Sequence, residues 1–312
     1  MRGDPVDLRP LTLAELLDRA FSTYKQHLWL FVGIMAVPAV WSTGSAVVLE
    51  AFKGLAPAGH PEQIVLRAGF ILTLLVLQII GLFANAFALG AATVAVSQLY
   101  QDRQTSVGES YRAVMPHGGQ LVMLLLWCGL LLALMVLGLI VLGGVLGILA
   151  GLFLGLIFGR AGAAVAGGLV ALIGFAGAFG LMGYFGTRWG VSVPAVVLER
   201  LSARASLKRS AQLTEDNRGR VFLVILCAVV ITYATVLLFQ MPFIAGAMFA
   251  GPGTRLAVIL GITGAVIGGT ASMFSGPIMI IGLAMMYYDL RIRKEALDLQ
   301  LMLESLDAPP GS

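Results

Sequence analysis

Residues 121–158 hold no charged side chain. That is nearly twice the ~20 apolar residues a helix needs to cross the hydrocarbon of a bilayer. Inside hydrocarbon no water satisfies the peptide groups, so only helices and closed barrels are open to such a chain. The run lacks the apolar–polar alternation of barrel strands. The expected fold is therefore all-α, a polytopic integral membrane helix bundle. Composition agrees: 12% of the residues are charged, where a soluble domain carries about 25%.

Six spans are predicted, over 28–49, 65–100, two between 120 and 199, 221–250 and 256–288. Three short amphipathic helices precede the three pairs. In the first, over 12–25, Leu13, Leu16, Leu17, Ala20, Phe21 and Tyr24 recur at helical spacing, opposite Glu15, Asp18, Arg19 and Lys25. A helix of this kind lies in the membrane interface. Thr12 with Glu15 forms a capping box, and so does Ser106 with Glu109 at the second short helix, over 106–115. The third covers 202–213. The starts Thr12, Ser106 and Ser202 are 94 and 96 residues apart. Each hairpin ends in an acid and an arginine: Asp102 and Arg103, Glu199 and Arg200, Asp289 and Arg291. The pattern reads as a threefold repeat of interfacial helix plus hairpin, about 11–103, 104–200 and 201–303. These form a single membrane domain, 11–303, between a polar N-terminal segment, 1–10, and a flexible tail, 304–312.

Charge orients the bundle. Fifteen Lys and Arg residues fall on the side of the short helices and four on the other. The positive-inside bias puts both termini in the cytoplasm. It also accounts for the net charge of +4 without nucleic acid as a partner. Sixteen of the twenty basic residues are arginine, and alanine and glycine are abundant, which points to a high-GC bacterial source and hence the plasma (inner) membrane. Cys128 and Cys227 both lie in apolar runs and read as packing residues, not a disulfide or metal framework.

The stretch 120–199 strains the scheme. Its eighty residues carry only Arg160 before Arg188. Two helices of ~40 residues would each be ~60 Å long, twice the hydrocarbon thickness. Either both project beyond the membrane, or 143–178 holds an extra pair of crossings or a re-entrant pair.

Arg188 is the leading candidate site. It stands eleven residues before Glu199, ~16 Å along a helix, which places it near mid-membrane if Glu199 marks the edge. A charge at that depth is costly and faces a wet cavity or the protein interior. Its guanidinium suits phosphate or carboxylate, hence an anion or a lipid headgroup. Gln78, Asn85 and Gln240 are the other polar candidates for ligand contact, or else hydrogen-bond between helices. Pro38, Pro194, Pro242 and Pro277 are expected to kink their spans. Glu199, Arg204, Lys208, Arg209, Asp289, Arg291 and Arg293 form a cytoplasmic-edge charge cluster, with Glu199 paired to Arg209. Gly143, Gly147, Gly151, Gly155 and Gly159 recur every four residues, and Gly174 to Gly186 every three, as helix-packing seams whose partner is this chain or another copy. No metal ligand set, nucleophile elbow or Walker loop is present, and His27, His60 and His117 are far apart. No cofactor is expected.

Three stretches carry a resemblance: LRPLTLAELLDRAFSTYKQHLWLF from Leu8, RWGVSVPAVVLER with SARASLKRSAQLTEDNRGRVF from Arg188, and YYDLRIRKEALDL from Tyr287. Together they resemble the membrane domain of the glycerophosphoryl diester phosphodiesterase family, from Leu8 to about Leu299. In full-length enzymes of that family, the resemblance implies, hydrolysis belongs to a separate soluble barrel with paired histidines, acids and a metal. The three histidines here offer no counterpart, so phosphodiesterase activity is not carried over. The expected function is non-enzymatic: a membrane protein binding lipid or a partner membrane protein, with a homo-oligomer among the expected assemblies. The alternative is a transporter or permease for an anionic or lipid-like substrate, motivated by Arg188, the prolines and the repeat. A lipid phosphodiester hydrolase is the third reading.

Overall fold

The computed structural model describes residues 11–55, 63–251 and 253–295, with the side chains of 53–55 and 63–68 left aside. The expected segments 1–10 and 304–312, and His60, lie outside the described residues. Among the described residues there is no strand; nine α-helices run α1 (Leu13–Gln26), α2 (Leu28–Leu55), α3 (Gln63–Tyr100), α4 (Val107–Val114), α5 (Gly118–Trp189), α6 (Ser192–Leu198), α7 (Ala203–Thr214), α8 (Arg218–Ala250) and α9 (Arg255–Glu295). Five of them, α2, α3, α5, α8 and α9, are long and apolar enough to cross a membrane. This is a multi-pass helical membrane protein.

The short helices begin where their caps predict. Thr12 Oγ1 accepts from Glu15 N at 3.3 Å while Glu15 accepts from Thr12 N at 2.7 Å. Ser106 and Glu109 repeat the exchange at 3.3 and 2.9 Å. Ser202 caps α7 through Ala205 N at 3.4 Å, with no acid to complete a box. Each closes orphan N–H groups at a helix start.

α5 is two helices. Gly159 breaks it with φ 63° and ψ −151°, a backbone that glycine alone adopts without strain. The arms 118–158 and 160–189 then run antiparallel. A Cβ on Gly155 would lie 3.6 Å from Ala163, one on Gly147 3.4 Å from Val170, and one on Gly177 3.7 Å from Leu139. Gly143, Gly147 and Gly155 therefore pack within this chain, Gly151 meets nothing within 4 Å, and Gly159 is the turn itself. This pairing sets Trp189 opposite about residue 127. The first ~10 residues of α5 consequently belong to the layer of short helices, leaving ~30 residues, or ~45 Å, in each arm. The segment 143–178 has a single reversal, at Gly159.

The buried core gathers at the end where the short helices lie. α3 offers Ala88, Ala91, Ala92 and Ala95, whose small side chains admit the second half of α9, with Ile281, Ala284, Met286, Tyr287 and Leu290 fully covered. Gly118 at the start of α5 touches the Phe87 ring so closely that a Cβ would collide with it. At the other end the hairpin stands bare: Leu156 is 87% exposed and Phe158 66%. Apolar surface of this extent belongs in lipid.

Proline does different work in different helices. Pro38 in α2 removes the N–H that would bond Ile34 O. The Tyr111 hydroxyl of α4 donates to that carbonyl at 2.8 Å. Near Pro277 in α9, Tyr24 of α1 donates to Phe274 O at 2.5 Å and Thr232 of α8 to Ser275 O at 3.3 Å. Interfacial helices and spans are thus joined near these prolines. Pro194 corrects the expectation: it sits in the first turn of α6, where no intrahelical donor is needed, and kinks no span.

Candidate functional site: a cationic pocket beside the short helices

The helix carrying Arg188 ends one residue later, at Trp189. Arg188 and Glu199 are not on one helix, so the mid-membrane placement expected for Arg188 does not hold. The apolar run continues through Val191 and Val193, which hid the break. At the break Gly190 approaches α8, where a Cβ would sit 3.2 Å from Ile225. The chain turns, and α6 is buried through Ser192, Pro194, Ala195, Val196 and Val197. Arg188 therefore stands at the base of the hairpin, against α7.

Three elements bring cations together there. Side chains on a helix lean towards its N-terminus, and Arg188 Nη1 donates back to the Tyr184 hydroxyl at 3.2 Å. Ser210 of α7 donates to the Arg188 carbonyl at 2.8 Å, which docks α7 on the helix end. Arg218, the first residue of α8, lies 5.5 Å over the Tyr184 ring, and its Nε is buried with no partner among the described residues. Arg188, Lys208 and Arg218 line one pocket of about 320 Å³ with Trp189, Gln212 and Glu215. Three positive charges and one carboxylate line it, and the Asp216 carboxylate, bonded to Lys294, also acts on Arg218. Sequence reasoning missed Arg218; its signal was a basic residue opening a span one turn after a basic helix.

The predicted edge cluster divides across α7. Lys208 joins Arg188, while Arg209 turns to α9. Arg209 Nε donates to both oxygens of Glu199 at 3.0 and 2.9 Å, the expected pairing. Arg209 also meets Glu295 at 2.5 Å, Arg291 meets Glu295 at 3.1 Å and Glu199 at 3.8 Å, and the Tyr287 hydroxyl donates to Glu199. Asp289, 2% exposed, accepts from Leu11 N at 2.8 Å, Arg293 Nε at 2.8 Å and Arg220 Nη2 at 3.3 Å. Arg220 and Arg293 both return to Leu11 O. These two knots clamp α1, α7 and α8 to α9. Arg204 is in neither and stacks 4.6 Å over Trp127. Lys294 bonds Asp216 at 2.7 Å, and that bond with its charge holds the Asp216 carboxyl below its usual range.

The uncharged candidates lie elsewhere. Asn85 donates to Gly81 O at 2.9 Å, inside its own helix. Gln78 and Asn85 line a cavity with Trp41, Ser42 and Ser45. Gln240 lies over Gly268, in another cavity beside Glu50. Neither cavity includes Arg188. Glu50 was missed because span 1 was ended one residue before it. Among the described residues no three His, Cys, Asp or Glu side chains gather as metal ligands would.

Every residue of the Arg188 pocket falls within one recognisable segment. Residues 167–305 match the family described as the membrane domain of glycerophosphoryl diester phosphodiesterase. The match agrees with the expected resemblance over this stretch, from the second hairpin arm through the end of α9. The glycerophosphoryl diester phosphodiesterase membrane-domain match includes the sequences quoted from Arg188 and Tyr287, and both knots apart from Leu11. The stretch quoted from Leu8 lies outside it. No curated protein and no solved structure matches the chain.

Proposed function

We propose that the protein is a non-enzymatic membrane module that holds anionic lipid headgroups in the Arg188 pocket. The observation carrying this reading is the convergence of Arg188, Lys208 and Arg218 at a membrane-edge pocket with a single acid, Glu215. Guanidinium groups bind phosphate oxygens through paired N–H donors. Trp189 and Tyr184 supply the amphipathic rings favoured at headgroup level. The positive-inside bias puts this end, with both termini, at the cytoplasmic leaflet of a bacterial inner membrane, where anionic lipids attract basic segments by about 1 kcal/mol per charge. Hydrolysis of a phosphodiester calls for an activated nucleophile or metal-bound water; cations and one carboxylate supply binding instead.

The test is lipid binding by the full-length protein. Purified in neutral detergent, it should bind phosphatidylglycerol in preference to phosphatidylcholine by native mass spectrometry. Arg188→Ala combined with Lys208→Ala should weaken phosphatidylglycerol binding by tenfold or more, about fivefold per charge. Equal binding by the double variant and the natural protein would falsify the reading.

A further inference from the structure

Arg188 ends one face of the second hairpin arm. Val170, Gly174, Gly177, Leu181 and Tyr184 precede it at alternating steps of four and three, so all six lie on one face of the helix. Further along that face the two arms part around an apolar cavity of about 510 Å³, lined by Val170 and Gly174 and by Gly143, Gly144 and Gly147 of the first arm. A Cβ on Gly144 or Gly174 would meet nothing within 4 Å. The Arg188 guanidinium leans towards this cavity, since it reaches Tyr184.

The near end of the cavity lies within one leaflet of this headgroup position. The lining on this arm runs from Ala178 back to Gly167. Measured from Tyr184, that is about 9 to 26 Å along the helix. One leaflet of hydrocarbon is ~15 Å deep. A chain hanging from a headgroup at Arg188 enters the near part of this interval, about 9 to 15 Å from Tyr184. A helix of another protein, ~10 Å across, does not fit between arms that touch at Gly147 and Val170, where a Cβ would stand 3.4 Å from the valine.

We propose that the inter-arm cavity receives one acyl chain of the anionic lipid whose headgroup lies among Arg188, Lys208 and Arg218. This rests on the headgroup reading above and adds the class of ligand: an amphiphile with a phosphodiester and a long chain, in place of a free phosphate ester. The glycines at 144 and 174 then have a function that helix packing does not give them: their missing side chains are the room for the chain.

Three probes separate the two readings: phosphatidylglycerol, its single-chain lyso form, and the deacylated glycerophosphoglycerol. The full-length protein should bind the first two with similar affinity and the third at least tenfold more weakly. Gly144→Leu with Gly174→Leu fills the cavity and should lower affinity for both lipids by tenfold or more, leaving glycerophosphoglycerol binding unchanged. Arg188→Ala with Lys208→Ala should weaken all three. If the leucine variant binds the lipids as the natural protein does, the acyl-chain proposal is wrong while the headgroup reading stands. If only the arginine–lysine variant is without effect, the headgroup reading fails. A photoreactive phosphatidylglycerol with a diazirine midway along one chain tests the unmodified protein: adducts should map to 136–148 and 167–178, and adducts confined to other helices overturn the proposal.

Discussion

At the scale of single residues, the tyrosines of the short helices donate to carbonyls of the spans. Tyr111 serves a carbonyl of Ile34 that Pro38 has left without its helical donor. Tyr111→Phe should cost about 1–3 kcal/mol, the penalty for an unsatisfied buried acceptor. Adding Pro38→Ala restores a backbone donor to Ile34, so the double variant should regain most of the loss in a detergent unfolding titration. No recovery would mean that the hydroxyl matters for packing alone. Asp289 joins elements as well, holding two arginines and the Leu11 amide at 2% exposure. Asp289→Asn should destabilise by about 3–5 kcal/mol, because it leaves partly buried guanidinium groups without their counter-charge. The pairing of Glu199 with Arg209 was readable in the sequence, since both are charges ten residues apart beside a basic helix. The link from Tyr111 to Ile34 was not: it joins positions 77 apart and leaves no local pattern.

At the scale of helices, neighbouring glycines make a matched test. Gly118 abuts the Phe87 ring, whereas a Cβ on Gly119 meets nothing within 4 Å. Gly118→Ala should destabilise by about 1–3 kcal/mol through overpacking. Gly119→Ala should stabilise by up to about 1 kcal/mol through helix propensity. A shift of the same sign in both, read as thermal midpoints, would refute close α3–α5 packing. Helix existence was legible because capping boxes and long apolar runs are local signals. The break after Trp189 was not, because Val191 to Val197 continues the apolar run and Pro194 reads equally as a kink or a first turn. That one ambiguity moved Arg188 from the interior of a helix to its end, against α7. The glycine series announced a seam, but only the turn at Gly159 identified this chain's own second arm as the partner.

At the scale of the whole molecule, the short helices collect on one side and the Gly159 turn lies on the other. A cysteine replacing Arg160, in a background with Cys128 and Cys227 changed to alanine, should react with an impermeant maleimide added outside intact cells. A cysteine replacing Lys208 should react only after the membrane is opened. The reverse pattern would invert the orientation, and labelling of both from outside would rule out a single hairpin crossing. This expected orientation comes from charge counting, since membrane edges select for it. Charge counting could not supply the pocket, whose three cations come from separate helices.

The acid that holds the Leu11 amide, Asp289, lies 278 positions later in the chain. A ribosome therefore delivers one half of the latch long before the other. Until α9 emerges, the Leu11 amide has no carboxylate to bond, and the arginine of α8 that shares the latch has the Leu11 carbonyl but no counter-charge. Any membrane protease that inspects unfinished chains has its opportunity in that interval, and translation stopped short of Asp289 should yield fragments that are degraded instead of accumulating.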